Sequence, residues 1–423
     1  MKHVIVYMIL LLISISGAQQ EEANYDESLV PEYTLPDALI FEDGTTVEST
    51  QQWVNKRRGE ILALFEQHMY GRAPGPKRKI KYSMRESDPN ALDGMATRKQ
   101  VRVYLLGKKK ELFVDVLMYL PNSLEKPVPI FLGLNFHGNH TTTDDPAVFV
   151  TESWMRNSSS TGVSDHQATA DSRGSSSSRW PYKEIIGRGY GVATAYYGDI
   201  DPDDEGSFEN GIHPYFYEKG QIQPEPDEWG SIAAWAWGLG RIVDYFEKDA
   251  DIDNEKIMVM GHSRLGKTSL WAGATDQRFA LVISNNSGCG GAALSRRAFG
   301  ETVKRINTVF PHWFCDNFNQ YNGQENDLPI DQHMLIALMA PRPVYIASAA
   351  EDLWADPRGE FTSGKHAESV YELFGLEGLP VEEMPEINQS VMGTIGYHIR
   401  EGKHDVTLYD WQRYMDFADK HLK

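Results

Sequence analysis

Ile257-Met258-Val259-Met260-Gly261-His262-Ser263-Arg264-Leu265-Gly266-Lys267 is the stretch that decides how the 423-residue chain folds. Four apolar residues run straight into Gly-His-Ser-Arg-Leu-Gly, which predicts a buried strand, a sharp turn and a helix continuing over 268–274. The pattern is that of a nucleophile elbow, G-x-S-x-G, with one extra residue before the last glycine. Glycine ahead of the serine leaves the space that a strained turn needs, and the turn lifts the hydroxyl clear of the sheet. A serine hydroxyl is a weak nucleophile until a base takes its proton. A histidine and a carboxylate should therefore follow, at the carboxyl ends of later strands and in the order serine, acid, histidine.

Both are found downstream. After the apolar run 344–347 come Ser348-Ala349-Ala350-Glu351-Asp352-Leu353-Trp354-Ala355-Asp356-Pro357, and after the run 395–399 come Arg400-Glu401-Gly402-Lys403-His404-Asp405. Gly402 allows a tight loop that aims an imidazole, so His404 is the expected base. Asp352 is the expected acid, holding the ring's tautomer, with Glu351 and Asp356 as competitors and a helix cap as the bland alternative. Arg264 directly follows the serine, so its backbone N–H can face a developing oxyanion while its guanidinium adds charge-assisted donors. The turn 135–140, Asn-Phe-His-Gly-Asn-His, either builds the other half of an oxyanion hole or merely links strand to loop. His137, His262 and His312 lack partners at ligand spacing, so neither metal nor cofactor is expected.

The chain opens with Met1-Lys2-His3, an apolar run over 4–15 and Ser16-Gly17-Ala18, which predicts a secretory signal peptide over 1–18 and a secreted or periplasmic mature protein. Forty-one basic against sixty acidic residues give a net charge of −19, which argues against nucleic acid and against an anionic membrane as partners. A monomer is expected. Residues 19–97 suggest an N-terminal extension laid on a catalytic domain over 98–423, with a helix over 51–70 that buries Trp53, Ile61, Leu62, Leu64 and Phe65 and ends at Gly71, Pro74 and Pro76. Strands follow over 101–106 and 113–120, joined by a hairpin at Gly107-Lys108-Lys109-Lys110, and a third over 128–136. The Ser-, Thr- and Gly-rich stretch 141–179 suggests a long surface excursion bordering the site. Helix and strand then alternate: helices over 182–188, 229–246, 331–339, 366–374 and 407–421, strands over 191–197, 256–260, 280–284, 344–347 and 395–399. That alternation predicts an α/β-hydrolase fold, a mostly parallel sheet with helices on both faces. Cys289 and Cys315, an even pair in a secreted chain, suggest one disulfide, with two buried free thiols as the alternative.

Taken together, 261–267, Ser284-Asn285-Asn286-Ser287-Gly288-Cys289-Gly290-Gly291, Asp352-Leu353-Trp354 and Gly402-Lys403-His404 give a chain that, from about Tyr104 to its end, resembles the bacterial glucuronoyl esterases of carbohydrate esterase family 15. The resemblance implies a metal-free enzyme that cleaves the ester joining (4-O-methyl-)glucuronic acid of glucuronoxylan to lignin alcohols. It implies Ser263 as nucleophile, His404 as base, Arg264 as oxyanion stabiliser, and Lys267, Glu301 and Trp354 as the groups that hold the uronate. Lys267 lies one helical turn beyond Ser263, and Trp354 offers a flat apolar plate for a sugar face; a solvated lysine and a core tryptophan are the alternatives. Some members carry the acid where this chain has Asn286, and the resemblance then implies the later aspartate, Asp352, with Asn286 as a hydrogen-bonding neighbour. An acetyl-xylan or other carbohydrate esterase, and a non-catalytic sugar-binding protein, are the rival functions.

Overall fold

The structure, a computed structural model, describes residues 23–75, 79–107 and 112–423. The leader expected over 1–18, Pro76, and positions 108–110 of the hairpin turn lie outside them. Ten strands form one sheet in the order β1-β2-β3-β7-β4-β8-β9-β10-β12-β11: β1 Lys81–Ala91, β2 Ala96–Tyr104, β3 Phe113–Pro121, β4 Val128–Asn135, β7 Gly191–Tyr196, β8 Ile252–His262, β9 Phe279–Asn285, β10 Val344–Ala349, β11 Gln389–Met392 and β12 Ile395–Arg400. β5 Val163–Ser164 and β6 Gln167–Ala168 make a separate ribbon. From β7 to β12 all neighbours pair in parallel, while β1 to β3 and the edge strand β11 pair antiparallel.

Every position of β7, β10 and β12 is buried, the pattern of strands covered on both faces. One face carries helices Ser231–Phe246, Arg264–Thr275 and Pro357–Leu373, whose Trp235, Trp271 and Phe361 join a single large core. The other face carries Tyr182–Gly187 and Leu408–Leu422, with Ile185, Trp411 and Phe417 in a second core. The result is the three-layer α/β-hydrolase fold that the alternation predicts.

The N-terminal boundary differs from expectation. The line between 97 and 98 falls inside β2, because β1 and β2 form a hairpin paired from Lys81↔Tyr104 to Ala91↔Ala96 at one edge of the main sheet. β1 has no apolar alternation to betray it: most of its positions are exposed and it contains Pro89, as suits an edge strand. Residues 50–70 form one helix with two π-helical stretches, Trp53–Arg57 and Glu66–Tyr70. It packs Phe65 and Tyr70 on Trp271, the Tyr70 ring stacked at 4.4 Å. Leu62 and Leu64 are only partly buried against this core. The stretch 141–179 hugs the body more closely than its composition suggests: Thr141, Thr142 and Ser172 are buried, and the last two bond to Tyr182 and His140 at 2.7 and 2.8 Å.

Cys289 and Cys315 are both free and buried, which corrects the disulfide expectation. Cys289 sits in the Gly-rich turn after β9, whereas Cys315 lies against the end of the N-terminal helix, its N–H on Met69 O at 2.9 Å. Burial raises both thiols, Cys315 to about 12, so neither is a ready thiolate. Protein denatured without reductant should therefore titrate two thiols per chain with a thiol-specific chromogenic reagent, and none if the cysteines were bridged.

Candidate active site

Ser263 joins β8 to helix Arg264–Thr275 at φ 59° and ψ −129°. A non-glycine residue held there is strained by about 1–3 kcal/mol and persists only where its surroundings impose it. A Cβ on Gly261 would lie 1.8 Å from the Leu265 carbonyl oxygen, so the approach tolerates no side chain. The Ser263 N–H donates to Asn285 O at 2.9 Å, tying the elbow to β9. Beyond it, the first N–H groups of the helix carry the positive end of its dipole.

His404 arrives on the loop after β12, where Gly402 takes φ 99°. Arg400 staples that loop, donating to Lys403 O at 3.0 Å and Asp405 O at 2.6 Å while pairing with buried Asp410 at 2.8 Å. The imidazole Nδ1 lies 2.6 Å from Asp352 Oδ2, and the same oxygen accepts from Asn286 Nδ2 at 2.8 Å. Asp352 is buried at the end of β10, whereas the His404 side chain is 40% exposed. The His404 ring stands 4.4 Å from that of His262, the residue before the elbow serine. His262 is buried, which drives its pKa well below the usual value, and its Nδ1–H donates to Asn285 Oδ1 at 2.6 Å. Ser263, His404 and Asp352 thus gather at the carboxyl ends of β8, β12 and β10. Of the competing acids, Glu351 is exposed, and Asp356 caps helix Pro357–Leu373 and pairs with Arg297 at 2.8 Å.

Lys267, Glu301 and Trp354 form a second group. Lys267 is buried, donates Nζ to Ser287 O at 2.6 Å and stands 3.7 Å from Glu301 Oε2. Burial raises the Glu301 pKa, opposed by the Lys267 charge. Trp354 is 37% exposed, and its carbonyl accepts the Glu301 N–H at 3.0 Å. Neither a solvated lysine nor a core tryptophan describes them. Residues 24–27 line the same wall: Asn24 O accepts the Gly300 N–H at 2.8 Å, Glu27 pairs with Arg297 at 2.8 Å, and Tyr25 meets Phe299 edge-on.

Two carboxylates escaped the sequence. Asp203, in the loop beyond β7, pairs with Arg264, whose guanidinium also lies 4.8 Å over the Trp313 ring. Its own neighbourhood, Asp201-Pro202-Asp203-Asp204, is only an acidic turn at a strand's carboxyl end. Glu360 is fully buried on Pro357–Leu373 and accepts from Ser287 N at 2.7 Å, Gly288 N at 3.0 Å and Ser348 Oγ at 2.6 Å. Beside Arg264, a cavity of about 190 Å³ opens between Phe136, His137, Trp154, Tyr197 and Asp203. Burial, then the charges of Arg179 and Arg264, push His137 down to about 4, so it is neutral at neutral pH. The Gly138 N–H is committed to Asn135 Oδ1 at 2.8 Å, leaving that amide unavailable to an oxyanion. Among the described residues no group of three or more His, Cys, Asp or Glu side chains could hold a metal ion, and no helix is long and apolar enough to cross a membrane.

Fold and rim together define an α/β-hydrolase. A family model described as fungal glucuronyl esterase matches residues 189–375. A carbohydrate esterase from an unknown prokaryotic organism is 55% identical over 405 residues, which span 96% of this chain and 93% of that protein. The solved glucuronoyl esterase from Solibacter usitatus is 46% identical with a TM-score of 0.89, the match covering 94% of this chain and 100% of that one. A 4-O-methyl-glucuronoyl methylesterase from Schizophyllum commune is 27% identical over 374 residues, 86% of this chain and 79% of its own. The chain belongs to the glucuronoyl esterase family and is a carboxylic ester hydrolase.

Burial lifts Glu360 from an ordinary 4.5 to about 8. The folded state then holds a proton that the unfolded state has released, so this group's contribution to stability falls as pH rises from about 4.5 to 8 and is level above that. Glu360→Gln should flatten the decline, which melting temperatures measured across that interval would reveal.

Proposed function

We propose that this esterase cleaves the ester between (4-O-methyl-)glucuronic acid of glucuronoxylan and lignin alcohols by acyl transfer through Ser263, His404 and Asp352. The observation that carries the proposal is the 2.6 Å contact of His404 Nδ1 with Asp352 beside a strained elbow serine. With Nδ1–H given to the carboxylate, Nε2 is the nitrogen that takes the Ser263 proton as the oxygen attacks the C6 carbonyl. Negative charge then grows on the carbonyl oxygen, where the Arg264 backbone N–H and guanidinium stabilise it. His404 protonates the departing alcohol, and a water molecule, activated by the same imidazole, releases the uronic acid from the serine. The Asn286 amide restrains Asp352 without adding a second negative charge.

Lys267, Glu301 and Trp354 hold the uronate sugar: a cation and a carboxylate for its hydroxyls, an exposed ring for its apolar face. Recognition then lies mainly on the acid side of the ester, and the alcohol is held loosely. Relatives named glucuronoyl and 4-O-methyl-glucuronoyl esterases support the sugar assignment. The leader expected over 1–18 supports a secreted or periplasmic location, where the enzyme, taken as a monomer, acts on the polymer outside the cytoplasm.

Ser263→Ala should lower kcat/KM on benzyl glucuronate by about 10⁴-fold or more, and Asp352→Asn by about 10³-fold, measured as alcohol release. Incubation with acetylated xylan provides the contrast: acetate release without any turnover of the glucuronate ester would overturn the substrate.

A further inference from the structure

The Asp203 carboxylate is a meeting point of four donors. Oδ2 pairs with Arg264 Nη1 and accepts the Tyr197 hydroxyl at 3.0 Å, while Oδ1 accepts His312 Nε2 at 2.8 Å and Trp313 Nε1 at 2.7 Å. Its side chain is 11% exposed. Burial alone would raise the pKa, but the His312 bond, the Arg264 charge and the Trp313 bond outweigh it and hold the group well below the usual carboxylate range. It is a fixed anion. Apart from Asp203 and the Tyr197 hydroxyl, Arg264 meets ring faces, with its charge centre 4.8 Å from Trp313, 5.6 Å from Phe136 and 5.7 Å from Phe310. Its buried Nε has no hydrogen-bond partner among the described residues. Aromatic faces attract a guanidinium but leave its rotation loose, whereas a carboxylate on one edge fixes which way the remaining N–H groups point.

We infer that Asp203 is a positioning residue: it aims the Arg264 guanidinium at the reaction centre and, through the Trp313 indole, sets the aromatic wall that runs on toward Lys267. The inference rests on the oxyanion role proposed above for Arg264. A donor already aimed where charge will develop needs no reorganisation as the barrier is crossed. The carboxylate offsets part of the arginine's charge, so its benefit is one of direction. An interaction that matures only at the transition state appears in kcat and leaves KM almost unchanged. Trp313 stands stacked on Phe310 at 3.8 Å with Lys267 Nζ 5.8 Å from its ring, so the same anchor spans both parts of the site.

Asp203→Asn keeps the volume and an acceptor for His312 and Trp313 but removes the charge facing Arg264. On benzyl glucuronate its kcat should fall about 10- to 100-fold with KM within about threefold of the parent. In an Arg264→Ala background the same substitution should change kcat by less than about twofold, since there is no guanidinium left to aim. A merely structural Asp203 would give multiplying losses. Such additivity, or an Asp203→Asn kcat within about twofold of the parent, overturns the inference. Ser263→Ala, run in parallel, separates the two levels: turnover there within about tenfold of the parent sinks the serine mechanism, whereas a Ser263→Ala lowered about 10⁴-fold beside an unimpaired Asp203→Asn sinks only the positioning role. Should Asp203→Asn not fold, Arg264→Ala alone remains decisive. Its retained carboxylate should seat millimolar guanidinium chloride and regain about tenfold in kcat, and no recovery counts against the role.

Discussion

A serine cannot rest at φ 59° unless the chain on either side is pinned, and much of this molecule supplies the pins. β8 runs between β4 and β9 in the parallel part of the sheet, and the next strand takes the serine's own amide. The helix behind it is clamped by Trp271 against Tyr70 and Phe65 of the N-terminal helix. Burying each such aromatic is worth about 1.5–3 kcal/mol, comparable to the strain of about 1–3 kcal/mol that one unfavourable backbone conformation stores. The N-terminal layer is thus part of the elbow's support.

The loops around the elbow are held by a different device, the buried carboxylate. Glu360 gathers the amides of Ser287 and Gly288, and Asp410 gathers His398, Arg400 and Thr407 at the root of the His404 loop. Asp331 accepts the amides of Ser295 and Arg296 and pairs with the Arg296 side chain. Each would be unfavourable alone, since a carboxyl group, charged or protonated, loses its hydration on burial. Surrounded by several donors, each instead fixes a loop more sharply than apolar packing could, because hydrogen bonds are directional.

What could be read from the sequence follows from range. The elbow, Gly402 before His404, and Asp352 after an apolar run are local patterns, and strand order supplied the rest. Asp203 and Glu360 find partners such as Arg264 and Ser287 at 61 and 73 positions away, and nothing in their immediate neighbours marks them. β1 hid because an exposed edge strand needs no apolar face. The Ser- and Thr-rich excursion suggested a surface loop, yet hydroxyls can be buried whenever each finds a partner. Cysteine parity misled because it carries no geometry; Cys289 and Cys315 belong to separate environments.

Residues 24–27 are stitched beside the Gly300–Glu301 turn and the cap of helix Pro357–Leu373. They therefore border the turn that carries Trp354. A chain shortened into residues 24–27 would lose these ties to the Gly300 amide and to Arg297 beside Trp354, whereas a change in helix Leu408–Leu422 would act on the opposite face of the sheet.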